Sequence, residues 1–205
     1  SEYARSALKL GLDKQAKTGV NPFKFGMIGS TDSHTSMSTA GENNFWGKGT
    51  TNEPSSERIL ASAWGGTLLA REFSASGYAA VWAEENTRES LFTAMKRKEV
   101  YATTGPRIRV RFFGGWRYER DDALQQNLAY IGYAKGVPMG GDLTNAPEGK
   151  APSFLIRAIK DPDGANLDRI QVIKGWHDKN GELQEKVYNV ALSDNRKKGR
   201  LGKVK

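Results

Sequence analysis

The chain has 205 residues, 38% of them hydrophobic, with 23 glycines, no cysteine and a formal charge of +8. That length holds one large domain or two small ones and is enough to bury a sizeable core. The absence of cysteine excludes disulfides and thiolate metal ligands, and no apolar run approaches the roughly 20 residues that a membrane-spanning helix needs.

Nothing at the N-terminus reads as a signal peptide. The chain opens at Ser1-Glu2-Tyr3 with an amphipathic pattern already under way, as a cut inside a longer protein would. Residues 3–18, "YARSALKLGLDKQAKT", put Tyr3, Ala7, Leu8 and Leu12 on one helical face. Gly19 is a C-terminal stop and Pro22 follows it. "FKFGMIG" (Phe23–Gly29) reads as a short buried strand, which completes one αβ step of an α/β fold.

Ser30–Asn52 shows no periodicity, and a loop that long in a compact domain is usually functional or mobile. "PSSERILASAW" (Pro54–Trp64) restarts a helix, capped by Ser55 or Ser56. "GYAAVWA" (Gly77–Ala83) is a second buried strand. In "NTRESLFTAMKRKE", Asn86 and Glu89 form a capping box ahead of a stripe of Leu91, Phe92 and Met95. "VYATTG" (Val100–Gly105) follows at once.

The texture changes after Gly105-Pro106. "RIRVRFFGGW" alternates charged and apolar residues, the period of a half-exposed strand. "AYIGYA", "SFLIRAI", "RIQVIKGW" and "KVYNVAL" continue this way, separated by Pro-Met-Gly-Gly, Asp-Pro-Asp-Gly and Lys-Asn-Gly turns. No helical pattern interrupts them, so this part reads as a small antiparallel sandwich-like β-domain. The expected organisation is 1–106, 107–195 and a flexible basic tail, 196–205.

The charge follows this division. Residues 1–108 carry 13 basic against 11 acidic residues, and residues 109–195 carry 12 against 12. The tail "RKKGRLGKVK" carries six basic residues and no acid. Runs of that kind are solvated or flexible. A nucleic-acid binder needs a basic face on its body, so neither nucleic acid nor a membrane is an expected partner. The compartment stays open, since exported proteins also lack cysteine.

The chain has two histidines. His34 stands two residues after Asp32, directly past the Phe23–Gly29 strand. In an extended chain such a pair points to one side. A carboxylate and an imidazole suit Zn²⁺, Mn²⁺ or Fe, and Ser30, Thr31 and Ser33 could orient them. Thr-Asp-Ser is equally a turn or cap sequence, and two ligands fall short of the three or four that a zinc site takes. His177, in "GWHDKNGE", reads as an exposed structural residue of a hairpin turn. In the long loop Glu42, Asn43, Asn44, Trp46 and Lys48 are candidate substrate contacts. Lys48 in "WGKGT" could meet a phosphate or be a solvated loop lysine. Arg107 in "TTGPRI" could contact an anion or pair with a surface acid.

"FGMIGSTDSHT" and "AAVWAEENTRESLFTAMKRKEVYATTGPRI" together closely resemble the DUF3604 family, which is related to the polymerase-and-histidinol-phosphatase (PHP) phosphoesterases. The resemblance covers residues 1–110 well and the β-rich remainder weakly. It implies the C-terminal part of a distorted (β/α)₇ barrel in an α/β fold, with two or three metal ions at the C-terminal ends of the strands. The last PHP metal motif is an Asp-x-His, matched here by Asp32 and His34. The earlier His-x-His motif has no counterpart, so the resemblance implies that the rest of the site lies in a missing N-terminal half. In that intact protein two divalent metals (Zn, Mn or Fe) roughly 3.5–4 Å apart would activate water for phosphoester hydrolysis.

Two functions follow as expectations. The first is part of a metal-dependent hydrolase that is inactive as this chain alone. The second is a non-enzymatic binding or structural module built on the β-domain, whose Phe112, Phe113, Trp116, Tyr118, Tyr130, Tyr133 and Trp176 would have to be exposed on one face to bind sugar. An incomplete barrel would also expose strand edges and apolar faces, so dimerisation or pairing with a second fragment is expected.

Overall fold

A computed structural model describes residues 3–34, 49, 56–63, 66, 68–69, 72 and 77–193. The chain is mixed α/β with small antiparallel sheets, and the described residues form no closed barrel. Contacts divide it into two compact units, Gly26–Arg157 and Ser1–Phe25 with Ala158–Lys205.

The discontinuous unit joins the two ends of the chain. Helix α1 (Ala4–Thr18) ends where Gly19, at φ 77°, turns left-handed and donates its N–H to the Gln15 carbonyl. Only glycine enters that region without steric cost. The helix packs on a long hairpin, Arg169–His177 with Leu183–Leu192. Lys9 Nζ lies 2.9 Å from Glu185 Oε2, and Arg5 Nε lies 3.5 Å from the same oxygen. The Lys9 hydrogen bond holds the Glu185 carboxyl below its ordinary value. At the hairpin turn the Asp178 carboxylate accepts the backbone N–H groups of Asn180 and Glu182 and the amide of Gln184. His177, expected to be exposed, is half-buried at the end of its strand, opposite Leu183.

The larger unit begins with two-residue strands β1 (Ser62–Ala63) and β2 (Leu68–Leu69). Strand β3 (Tyr78–Val81), helix α2 (Arg88–Lys96) and strand β4 (Val100–Thr103) come next. β3 and β4 pair antiparallel, from Tyr78 opposite Thr103 to Val81 opposite Val100. Strand β5 (Arg109–Gly115) then lies between β6 (Gly136–Pro138) and β7 (Ser153–Ile159). The hairpin strands of the other unit are therefore β8 and β9.

The core of this unit is Phe113, Leu128 and Leu155, with Tyr118, Ala129 and Ile131 against it. Leu128 belongs to α3 (Leu128–Lys135). This corrects the reading of "AYIGYA" as a strand, and of the β part as free of helix. A short apolar run carries no decisive period; here Leu128 and Gly132, four apart, turn one helical face onto Phe113. A Cβ at Gly132 would come within 2.6 Å of that ring, so the close packing requires glycine.

Three smaller expectations also change. The helix at Pro54–Trp64 is, among described residues, a 3₁₀ turn over Ser56–Ile59. The cap of α2 is Thr87, whose hydroxyl accepts the Ser90 N–H, one residue later than Asn86. Phe23–Gly29 is not a hydrogen-bonded strand.

Candidate functional site

The stretch Gly26–Ser30 runs against the β3–β4 pair without joining it. Gly26 lies against Val100 and Lys98. A Cβ at Gly29 would stand 2.8 Å from the carbonyl oxygens of both Thr103 and Tyr78. Two glycines thus let the backbone cross where a side chain would collide. The crossing falls at the Tyr78–Thr103 end of the sheet, and it delivers Thr31–His34 there.

Asp32 sits at φ 55°, one of three non-glycine residues with positive φ among those described. Aspartate tolerates this region better than most residues, but the conformation still costs free energy, and such costs concentrate at functional sites. The kink places Asp32 and His34 together even though the chain is not extended there. His34 Nε2 stands 3.9 Å from Asp32 Oδ1, and both side chains are more than half exposed. Ser33 N donates to Thr31 Oγ1 at 3.3 Å, which tightens the turn.

The imidazole is oriented. His34 Nδ1 is 2.9 Å from the Asp32 carbonyl oxygen. A carbonyl only accepts, so the proton is assigned to Nδ1. In the neutral ring Nε2 then carries a lone pair. The donor set fits a divalent transition metal in kind, and a second-sphere bond from the other ring nitrogen is the usual way to orient a metal-binding histidine. It does not fit in number, since no group of three or more His, Asp or Glu that could hold a metal occurs among the described residues.

Arg107 leaves the same end of the sheet. It is exposed, and its guanidinium lies 5.6 Å from the centre of the Tyr78 ring. The loops of Asp32 and of Arg107 therefore share one end of β3–β4. Glu42, Asn43, Asn44, Trp46 and Lys48 lie outside the described residues. Sequence reasoning missed Thr103 and Tyr78. Thr103 Oγ1 is buried and finds no hydrogen-bond partner among the described residues. Tyr78 carries Arg107 on its ring. Only the sheet register makes both residues neighbours of Gly29, so neither had a local signal.

The aromatics of the β part mostly turn inward. Phe113 is fully buried, and half-buried Phe112 stacks at 5.3 Å between centroids on Phe154, the one strand aromatic of this sheet that is exposed. Trp116 donates to the Thr144 carbonyl and Tyr118 to that of Gly132. Tyr130 and Tyr133 are exposed, on α3. The three-stranded sheet thus offers no row of exposed rings. No described helix is long and apolar enough to cross a membrane.

A family model described as "Protein of unknown function (DUF3604)" matches residues 1–205. No curated protein and no solved structure matches the chain.

Proposed function

The chain belongs to the DUF3604 family, and from that premise we propose that it supplies part of the active site of a metal-dependent, phosphoesterase-like hydrolase. On this reading the residues up to 106 are the C-terminal part of a PHP-type barrel, and the β-rich remainder is its structural partner. Asp32 and His34 hold a divalent transition metal, one of the two or three in the complete site. The other ligands come from residues outside the described set or from a second polypeptide. When bound, such ions lower the pKa of a water and hold the attacking and leaving oxygens of a phosphoester.

The observation that supports the reading is the 3.9 Å approach of His34 Nε2 to Asp32 Oδ1 with Nδ1 engaged by a carbonyl. The chain's own part is to present that oriented pair, with Arg107 stacked on Tyr78 at the same end of the sheet. Lys48 and its neighbours Glu42, Asn44 and Trp46 are further substrate contacts on this reading.

Metal analysis of the full-length protein tests it. Bound transition metal is expected, and Asp32→Ala and His34→Ala are each expected to lower its content. No bound metal, or no loss with either substitution, removes the reading.

A further inference from the structure

We propose that the open face of the β8–β9 hairpin binds an acidic polysaccharide, independently of the metal reading. The register pairs Val172 with Tyr188, Lys174 with Lys186, and Trp176 with Gln184. Opposed residues of an antiparallel pair share a face, as do residues two apart on a strand. These six side chains therefore form three rows on one surface. On the other surface α1 covers the Gly175–Glu185 row, where Gly175 meets the Lys9 side chain and Glu185 binds Lys9 and Arg5, while Ile173 and Val187 beside it are exposed.

Charge is segregated across the hairpin. Glu185 is the only acid in either strand and faces the helix. The open face carries two lysines directly opposite each other, an arrangement that costs stability by like-charge repulsion. Each ammonium leans over an aromatic of its own strand: Lys174 lies 4.9 Å from the Trp176 ring centre, and Lys186 lies 5.0 Å from that of Tyr188. Both lysines are exposed, and Tyr188 is 39% exposed.

An anion between the lysines relieves their repulsion. The aromatics lie one row to each side of the charged row, on opposite strands, and are roughly 13 Å apart at the usual rise per residue. A pyranose sets its C–H face against the electron-rich face of an indole or phenol. A sugar chain laid diagonally across the rows meets ring, charge, ring, and the Asp178 carboxylate, bonded to the Gln184 amide, marks the end of the anion-binding stretch. Nucleic acid fits less well. Its binders neutralise many phosphates, on the order of 6–10, and the face offers two cations on a segment of balanced charge, with 12 basic and 12 acidic residues over 109–195.

The test measures the affinity of the full chain for polygalacturonate, heparin, dextran and a single-stranded DNA oligomer. Polygalacturonate or heparin is expected to bind, and dextran and DNA at least tenfold more weakly. A K174Q/K186Q variant and Tyr188→Ala should each weaken polyanion binding at least tenfold with an unchanged circular-dichroism spectrum. A variant with the six tail cations replaced by glutamine should retain binding. The proposal is overturned by no binding to either acidic polymer, by equal binding of dextran or DNA, by indifference to the face substitutions, or by loss only when the tail is neutralised.

Discussion

Glu99 is 1% exposed, and its carboxylate is met by Arg97 at 3.3 Å, by Arg111 at 3.2 Å and by the Tyr133 hydroxyl. The Arg111 guanidinium in turn lies 3.6 Å from the centre of the Trp82 ring. Glu99 precedes β4, Arg111 lies on β5 and Tyr133 on α3, so one carboxylate ties three elements of the larger unit. Removing Arg111 leaves the buried carboxylate with the Arg97 guanidinium, which is 46% exposed. Arg111→Ala should therefore lose about 1.5–3 kcal/mol in urea unfolding, the worth of a charged hydrogen bond, and Tyr133→Phe about 1 kcal/mol; equal losses would mean the pair is not the tie.

Asp122 behaves differently. Its carboxyl is held below its ordinary value by the Glu119 N–H and then by Lys135. A carboxyl with a lowered folded pKa stabilises above its unfolded value of about 4. That contribution disappears as pH falls through the folded value. Asp122→Asn should remove this part of the acid-induced loss of stability, seen as a flatter melting temperature below pH 4; an unchanged acid slope would count against it.

Among elements, caps make the sharpest predictions. Thr87→Ala leaves the Ser90 N–H unpaired at the start of α2 and should cost about 1 kcal/mol. Gly19→Ala forces a Cβ into the left-handed end of α1 and should cost a similar amount, about 1 kcal/mol. Chemical denaturation of each variant checks both. These caps also mark what could be read without coordinates. Gly19 and the start of α2 within one residue were legible because capping is local chemistry. So were β5, β7, β8 and β9, whose alternation persists over several residues. The helical α3 was not, since its meaning depends on Phe113 packing against Gly132. The pairing of Asp32 with His34 was legible as a spacing, but its cause was not: a left-handed aspartate does what an extended strand was expected to do. Thr103 and Tyr78 join the neighbourhood through register, which no local pattern encodes.

At the scale of the molecule, Met27 and Ile28 are 47 and 59% exposed, an adjacent apolar pair leading into the candidate site. Exposed apolar runs of this kind mark contact surfaces. We expect the chain to self-associate, or to pair with another polypeptide, through this stretch. Sedimentation at several concentrations checks it; Met27→Lys with Ile28→Lys should shift the chain toward monomer, and a native chain that is monomeric throughout would contradict it.

The proposed metal role requires that His34 Nε2 and the Asp32 carboxylate share a cation. With two histidines in the chain, the imidazole ¹⁵N resonances can be assigned by one His34→Gln variant. Zinc added to the labelled chain should move the His34 Nε2 resonance, leave Nδ1 protonated and leave His177 unchanged, and Asp32→Ala should weaken the response at least tenfold. A His34 ring that does not respond to zinc, or responds equally without the Asp32 carboxylate, would contradict the account.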